Sequence, residues 1–456
     1  MSTTLTARQL AALIHQPSIK GITLAVSQLI RESKLAAGTQ LPAVRELAEA
    51  LGVSPATVSA AWQHLRRQSV LAGKGRSGVW VCANIVSARP VRFEKIGNYG
   101  KGIIADLTMA SPDPQLLPDL EQALRMAVRV PELNSYRREP ITPSLRAAII
   151  PDWPVESEAF LATDGGFDAM YLALRSLISP GERVMIENPT ATRLLDMLDY
   201  IGAEALPVPC DQEGPLPDAV AALLQQAPRA FIYQPRTHSA SGHTVSRERS
   251  DSLSKVLADS KVLIIEDDGI GELSAHPVWS LGRYYPRRTV HVRSYSKAYG
   301  PDLRLAVVSG PLDLIEQLQS LRNFGASWTS RLLQEAVAWM IQDEGTRQSI
   351  QWARRIYAER RRALLSALAQ RGLSLPDRDG LSLYVPVRSE QFAMITLAAH
   401  GIAAVPGERC STGGEQFIRI STCRLDPKQV DHVADALMLA CDLDTPMNGG
   451  DRAPDI

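Results

Sequence analysis

The stretch SYSKAYGPDLRLAVVSG, residues 294–310, places Lys297 in a short Ser-x-Ser-Lys segment at the end of an apolar run, TVHVRSYS, with Arg304 seven residues further on. A lone lysine is commonly a solvated surface charge. A lysine desolvated beside cationic neighbours has a lowered pKa and becomes nucleophilic. The arrangement therefore suits a lysine that condenses with a carbonyl, with phosphate ligands close by. Upstream, KVLIIEDD (261–268) carries acidic residues at the end of another apolar run. TDGGFDAM (163–170) reads as a strand-to-helix glycine turn, whose amides can hold a phosphate at a helix N-terminus. Singly these signals are weak, because two glycines are commonly only a turn and an Asp at a strand end commonly a cap.

Around this stretch apolar runs alternate with helical patterns: AFLAT then GGFDAMYLALRSLI, RVMIENP then ATRLLDMLDYIGA, RAFIYQP then RERSDSLSKVLAD. Short strands alternating with helices of ten or more residues predict a mostly parallel α/β sheet. Sites in such sheets lie at the carboxyl ends of the strands, where the polar motifs fall.

The first 83 residues read differently. Ile22, Val26, Leu29 and Ile30 fall at helical spacing, then AAGTQLP reads as a turn. AVRELAEAL (43–51) predicts a second helix ended by Gly52. Ser54 and Pro55 open a third, to about residue 68, with Val58, Trp62 and Leu65 inward. SVLAGKGRSGVWVCA then reads as two short strands around a basic, glycine-rich hairpin. Such a winged helix-turn-helix places its third helix in the major groove, with Ser54, Thr57 and Ser59 toward bases and phosphates. Lys74 and Arg76 on the wing and Arg45 on the second helix are candidate phosphate contacts. The chain has 456 residues and equal numbers of acidic and basic ones, 49 each. Residues 1–84 nevertheless carry nine Lys/Arg against three Asp/Glu, a net of +6 that leaves −6 on the remainder. Global charge is thus silent about a polyanionic partner, while the local charge favours one. No apolar run reaches the ~18–20 residues of a membrane span, and no signal peptide pattern opens the chain. Five cysteines without a CxxC exclude a disulfide scaffold and favour a reducing cytoplasm.

GTQLPAVRELAEALGVSPATVSAAWQHLRRQSVLAGKGRSGVWV (38–81) resembles the DNA-binding domain of GntR-type bacterial regulators. Residues 105–441 resemble the fold-type-I aminotransferases that use pyridoxal 5′-phosphate, and DLTMASPDPQLLPDL (106–120) looks like their entry segment. The whole chain resembles the MocR family of transcription regulators. The resemblance implies a winged domain over 1–83 and an α/β aminotransferase-like domain with a smaller C-terminal α+β subdomain over 105–441; between them 84–104 mixes Pro, Gly and charge without periodicity and reads as a linker with room for a short strand, and the tail 442–456 reads as disordered. The resemblance also implies a cytoplasmic homodimer that binds operator DNA and responds to a small amine, an amino acid or pyridoxal phosphate itself.

Carried over residue by residue, Lys297 matches the Schiff-base lysine and Asp267 the partner of the pyridinium nitrogen. Ser294, Arg304, Gly165 and Gly166 match the phosphate site. Arg419, in FIRIS, matches the arginine that clamps a substrate carboxylate, although a strand-edge surface arginine reads the same way. Tyr136 loosely resembles the tyrosine that reaches the neighbouring subunit's phosphate. The departures bear on catalysis. The Asn that contacts the ring hydroxyl is Ser239 here, and the tyrosine expected just after the Asp is missing, with Gly269 and Ile270 in its place. Ala191 stands where an aromatic stacks on the ring, and Phe167 replaces a polar phosphate-turn residue. His238 is a candidate for a replaced polar contact, or an ordinary loop histidine. The resulting expectation is a sensor that binds the cofactor and turns substrate over poorly. Its rivals are a working aminotransferase with an auxiliary DNA-binding module and a repressor whose large domain only dimerises.

Overall fold

The computed structural model describes residues 6–31, 34–36, 38–67, 70–73, 78–82, 90–96, 102–130 and 133–441. It divides into two units, Met1–Arg89 and Pro90–Ile456. The wing residues Lys74 and Arg76 and the tail 442–456 lie outside the described residues.

In the amino-terminal unit the helices are Ala7–Ala12, Ile19–Arg31, Val44–Leu51 and Pro55–Arg67. Gly52 ends the third at φ +66°, a left-handed position that a glycine occupies without a Cβ penalty. Ser54 opens the fourth, its Oγ accepting from Thr57 N at 3.2 Å. The apolar positions picked out by spacing close one core, in which Ile22, Val26, Leu47, Val58, Trp62 and Leu65 are fully buried. Each such side chain contributes about 1.5–3 kcal/mol of burial free energy. One expectation fails here. The segment read as a turn supplies a strand, Gln40–Leu41, which pairs antiparallel with Trp80 and Val79, so the wing is a three-stranded sheet.

The carboxyl-terminal unit is built on an eight-stranded sheet. Its order is Ala159–Thr163, Ala306–Gly310, Thr289–Ser294, Leu263–Asp268, Ala230–Tyr233, Arg183–Asn188, Glu204–Asp211, Gly214–Pro215. The five strands from Thr289–Ser294 to Glu204–Asp211 are parallel, and Ala306–Gly310 runs antiparallel to both neighbours. Helices cover the sheet, so its inner strands are apolar on both faces. Val184, Ile186, Ala230, Ile265 and Val292 are buried in one cluster, Met185, Phe231 and Ile264 in another. The 27-residue helix Glu344–Gln370 leads to a smaller subdomain. There Ser382–Pro386, Phe417–Ser421 and Val405–Pro406 form an antiparallel sheet, and Ile402–Ala403 pairs with Ala105–Asp106 at the unit's start.

Among its described residues, the stretch read as a linker holds a one-turn helix, Val91–Glu94. That helix is fastened to the large unit. Asp196 accepts hydrogen bonds from Phe93 N (3.0 Å), Arg92 N (3.2 Å) and Arg92 Nη1 (3.3 Å). Arg409 Nη1 donates to Lys95 O at 2.8 Å. The described residues contain no helix long and apolar enough to cross a membrane, and all five cysteines are free.

Candidate functional site

Side chains alternate along Leu263–Asp268, and the alternation separates its last two carboxylates. Asp267 opens on a cavity of about 130 Å³. Asp268 points the other way and is fully buried between Arg236 (2.9 Å) and Arg293 (3.2 Å). Burial pushes the Asp268 carboxyl up, but the two guanidiniums outweigh it and hold it below the usual carboxylate range. Asp267 has no such pair. Burial raises its pKa to about 6 against the opposing Gln234 hydrogen bond and the Lys297 charge. Gln234 joins three parts of the site. Its Nε2 donates to Asp267 Oδ2 (2.8 Å), its Oε1 accepts from Ser239 N (2.6 Å), and its own N–H donates to Glu187 Oε2 (2.8 Å).

Lys297 borders the same cavity from the one-turn helix Ser296–Tyr299 that follows the buried strand Thr289–Ser294. Burial lowers its pKa, and nearby Arg419 lowers it further, against Cys423 and Asp267. More of the amine is therefore neutral and nucleophilic at ordinary pH. At the cavity's other wall the helix Gly166–Leu177 begins. Gly165 has φ +109°, and a Cβ there would lie 3.0 Å from Arg304 Nη2. A Cβ on Gly166 would lie 3.1 Å from Ser294 Cβ. The two glycines thus let the turn close on Ser294 and Arg304, leaving amides, a hydroxyl and a guanidinium around one space. Arg304 itself is left-handed at φ +43° and donates to Asp164 O at 2.9 Å.

The structure brings Lys297, Asp267, Ser294, Arg304, Gly166 and Ser239 to one cavity, which Ala191, Gly269 and Phe167 also border; Gly165 adjoins it. Arg419 Nη2 donates to Thr108 O (2.8 Å), while its buried Nε has no partner among the described residues. Tyr136 is elsewhere, 89% exposed and edge-on to Trp328 at 6.0 Å. Two nearby side chains lie off the cavity. Ile270 is turned into the apolar core with Tyr295 and Leu305. His238 is stacked on His243 and does not border the cavity, which fits the ordinary loop histidine of the two alternatives. In the amino-terminal unit Arg45 and Ser59 are exposed, and Ser54 and Thr57 are tied to each other at 2.9 Å.

Arg193 went unnoticed in the sequence. Its guanidinium lies over the rings of Phe167 (4.3 Å) and Phe93 (4.7 Å). Burial and the charge of Arg304 lower its pKa. A cavity residue and the docked helix Val91–Glu94 thereby share one cation.

Residues 106–437 match the family "Aminotransferase class I and II", and residues 19–81 match "Bacterial regulatory proteins, gntR family". The vitamin B6 salvage pathway transcriptional repressor PtsJ of Salmonella typhimurium is 32% identical, over 90% of this chain and 95% of its own. The pyridoxine biosynthesis transcriptional regulator PdxR of Corynebacterium glutamicum is 25% identical, over 76% of this chain and 78% of its own. Among solved structures, the α-aminoadipate aminotransferase LysN of Thermus thermophilus superposes with TM-score 0.68 at 23% identity, over 78% of this chain and 96% of its own.

Proposed function

The chain belongs to the MocR-type transcriptional regulators, gntR-family proteins that carry an aminotransferase-like domain, and from this we propose that it senses pyridoxal 5′-phosphate and passes the signal through the segment Pro90–Ile96. It is a DNA-binding regulator, and its cofactor is pyridoxal 5′-phosphate. The cavity's donor set fits that group: an amine, a carboxylate, and a glycine turn whose space a Cβ would fill. Bound, the group supplies an aldehyde that condenses with amines and an electron-withdrawing ring.

We assign Lys297 to the aldehyde and Asp267 to the ring nitrogen, with Gln234 and Ser239 N fixing the carboxylate's orientation. Gly165, Gly166, Ser294 and Arg304 take the phosphate, through a helix N-terminus and charge-assisted hydrogen bonds. Arg419, with an unpartnered Nε and Lys297 as neighbour, takes the carboxylate of an amino-acid ligand. Ala191 and Gly269 leave the ring without side chains to stack on it, and Ser239 without an amide at its hydroxyl. Binding therefore outlasts efficient transamination, since orientation at the ring is what catalysis needs. Exposed Tyr136, Phe324 and Val128 favour a homodimer built on the large domain. A regulator of bacterial operators works in the cytoplasm.

A ligand shifts an equilibrium only by binding two states unequally. The observation that carries the proposed route is the cation shared by Phe167 at the cavity and Phe93 on the docked segment. The names of PtsJ and PdxR support vitamin B6 as the signal. The test uses a DNA fragment selected from a random pool by the full chain. Its affinity should change on adding pyridoxal phosphate, and Lys297→Ala should abolish the change while keeping DNA binding. Equal affinity with and without the cofactor contradicts the proposal, and a response only to an added amine moves the signal to that amine.

A further inference from the structure

Next to the cavity, the carboxyl ends of two neighbouring strands and the loop after a third converge on a second group of side chains. Glu187 lies on Arg183–Asn188, Cys210 on Glu204–Asp211, and His238 and His243 follow Ala230–Tyr233. A carboxylate oxygen of Glu187, Cys210 Sγ and a ring nitrogen of His243 all lie within 4.8 Å of one another. His243 Nε2 is 2.9 Å from Glu187 Oε1, and His238 Nε2 is 3.7 Å from Glu187 Oε2. The two imidazoles are stacked 4.4 Å apart at 9°. Both Nδ1 atoms lie 2.8 Å from the one hydroxyl of Ser241. Parallel rings pinned at their Nδ1 atoms present both Nε2 atoms to the same carboxylate. His238 Nε2 is fully buried there and has no hydrogen-bond partner among the described residues.

We propose that Glu187, Cys210 and His243 form a binding site for a divalent transition metal, with zinc the ion that suits them best and His238 packed against the ligand ring rather than ligating. One imidazole, a thiolate and a carboxylate are a borderline-soft set that zinc takes with a water in its fourth position, and magnesium or calcium would seek oxygen. Ser241 does what the outer partner of a ligand histidine does, setting the ring's orientation from its far nitrogen. Charge also balances, because a dication between one carboxylate and one thiolate buries no net charge. Burial keeps the His243 imidazole neutral, and Ser241 at its Nδ1 leaves Nε2 to the ion. It also pushes the Cys210 thiol well up, so the entering ion displaces that proton to solvent. Glu187 Oε2 holds Gln234 N–H, so the ion braces the loop that carries Gln234 and Ser239.

The probe is cobalt(II), titrated into full-length protein stripped with a chelator. A thiolate-to-cobalt charge-transfer band should appear in the near ultraviolet, saturate at one ion per chain and disappear when zinc is added. Cys210→Ser should remove the band, and Cys82→Ser, at the other partly exposed cysteine, should leave it intact. Ser241→Ala should weaken cobalt binding roughly 10–100-fold. Zinc should raise the melting temperature of the stripped wild-type protein, which keeps the test decisive should a variant fail to fold. Wild-type protein without a thiolate–cobalt band, a band that survives Cys210→Ser, or a melting temperature indifferent to zinc overturns the site.

Discussion

Asp196→Ala should release the segment Pro90–Ile96 from the large unit without unfolding that unit. Asp196 is 9% exposed and accepts from two consecutive backbone amides, Arg92 N and Phe93 N, and from the Arg92 guanidinium. Hydrogen bonds to a charged acceptor contribute about 1.5–3 kcal/mol net. The freed amides sit on half-buried residues, where water replaces part of what is lost. The exposed Arg92–Asp199 pair adds little. A loss of roughly 2–3 kcal/mol in docking free energy corresponds to about 30–150-fold more of the opened segment, at about 1.4 kcal/mol per decade. Phe93 against Arg193 and Lys95 O against Arg409 remain and oppose complete release. Hydrogen exchange reads this directly: the Arg92 and Phe93 amides should lose protection by about that factor, while the strand Leu263–Asp268 keeps its own. The same variant should bind DNA with affinity less dependent on pyridoxal phosphate. Unchanged protection at Arg92 and Phe93 would refute the clamp, and a loss of protection throughout the sheet would make Asp196 a global stability residue instead.

Gly165→Ala should weaken pyridoxal phosphate binding more than it lowers stability, because a Cβ at φ +109° would press on the Arg304 guanidinium; equal affinity by absorbance titration counts against the phosphate assignment. The Asp267 carboxyl, raised from 3.8 to about 6, keeps in the folded state a proton that the unfolded chain gives up. Stability of the cofactor-free protein should therefore fall as pH rises through that window and stay lowered above it. The charged groups around it are Lys297, Asp268 and Glu187. Asp267→Asn should accordingly gain in melting temperature over wild type between pH ~4 and pH ~6, and a difference that is flat or shrinks across that range would be contrary. Phe324→Asp, at a side chain 93% exposed, should shift sedimentation from dimer toward monomer if that face pairs two copies; an unchanged dimer places the interface elsewhere.

Much of this architecture could be read from one sequence because its signals are local. Gly52 and Ser54 bracket a turn through their own backbone and side-chain geometry. Asp267 is picked out of KVLIIEDD by resemblance, and strand alternation explains why Asp268 then faces the other way. The features that escaped reading depend on partners distant in sequence. Gln40–Leu41 is a strand only because Trp80 and Val79 lie beside it. Val91–Glu94 is too short to show periodicity, and its amides are satisfied by a carboxylate about a hundred residues away. Gln234 was visible as the end of an apolar run, but its reach to Asp267 needs the lateral order of two strands.

We take Lys297 to be the residue that holds the cofactor, in a domain built to sense rather than to turn over. Borohydride reduction of the protein with pyridoxal phosphate, followed by peptide mapping, tests it most directly. Reduction should leave a pyridoxyl adduct on Lys297, lost in Lys297→Ala, in a preparation whose transamination stays far below the ~10 s⁻¹ usual for enzymes. An adduct on another lysine, or none with the cofactor in excess, contradicts the claim.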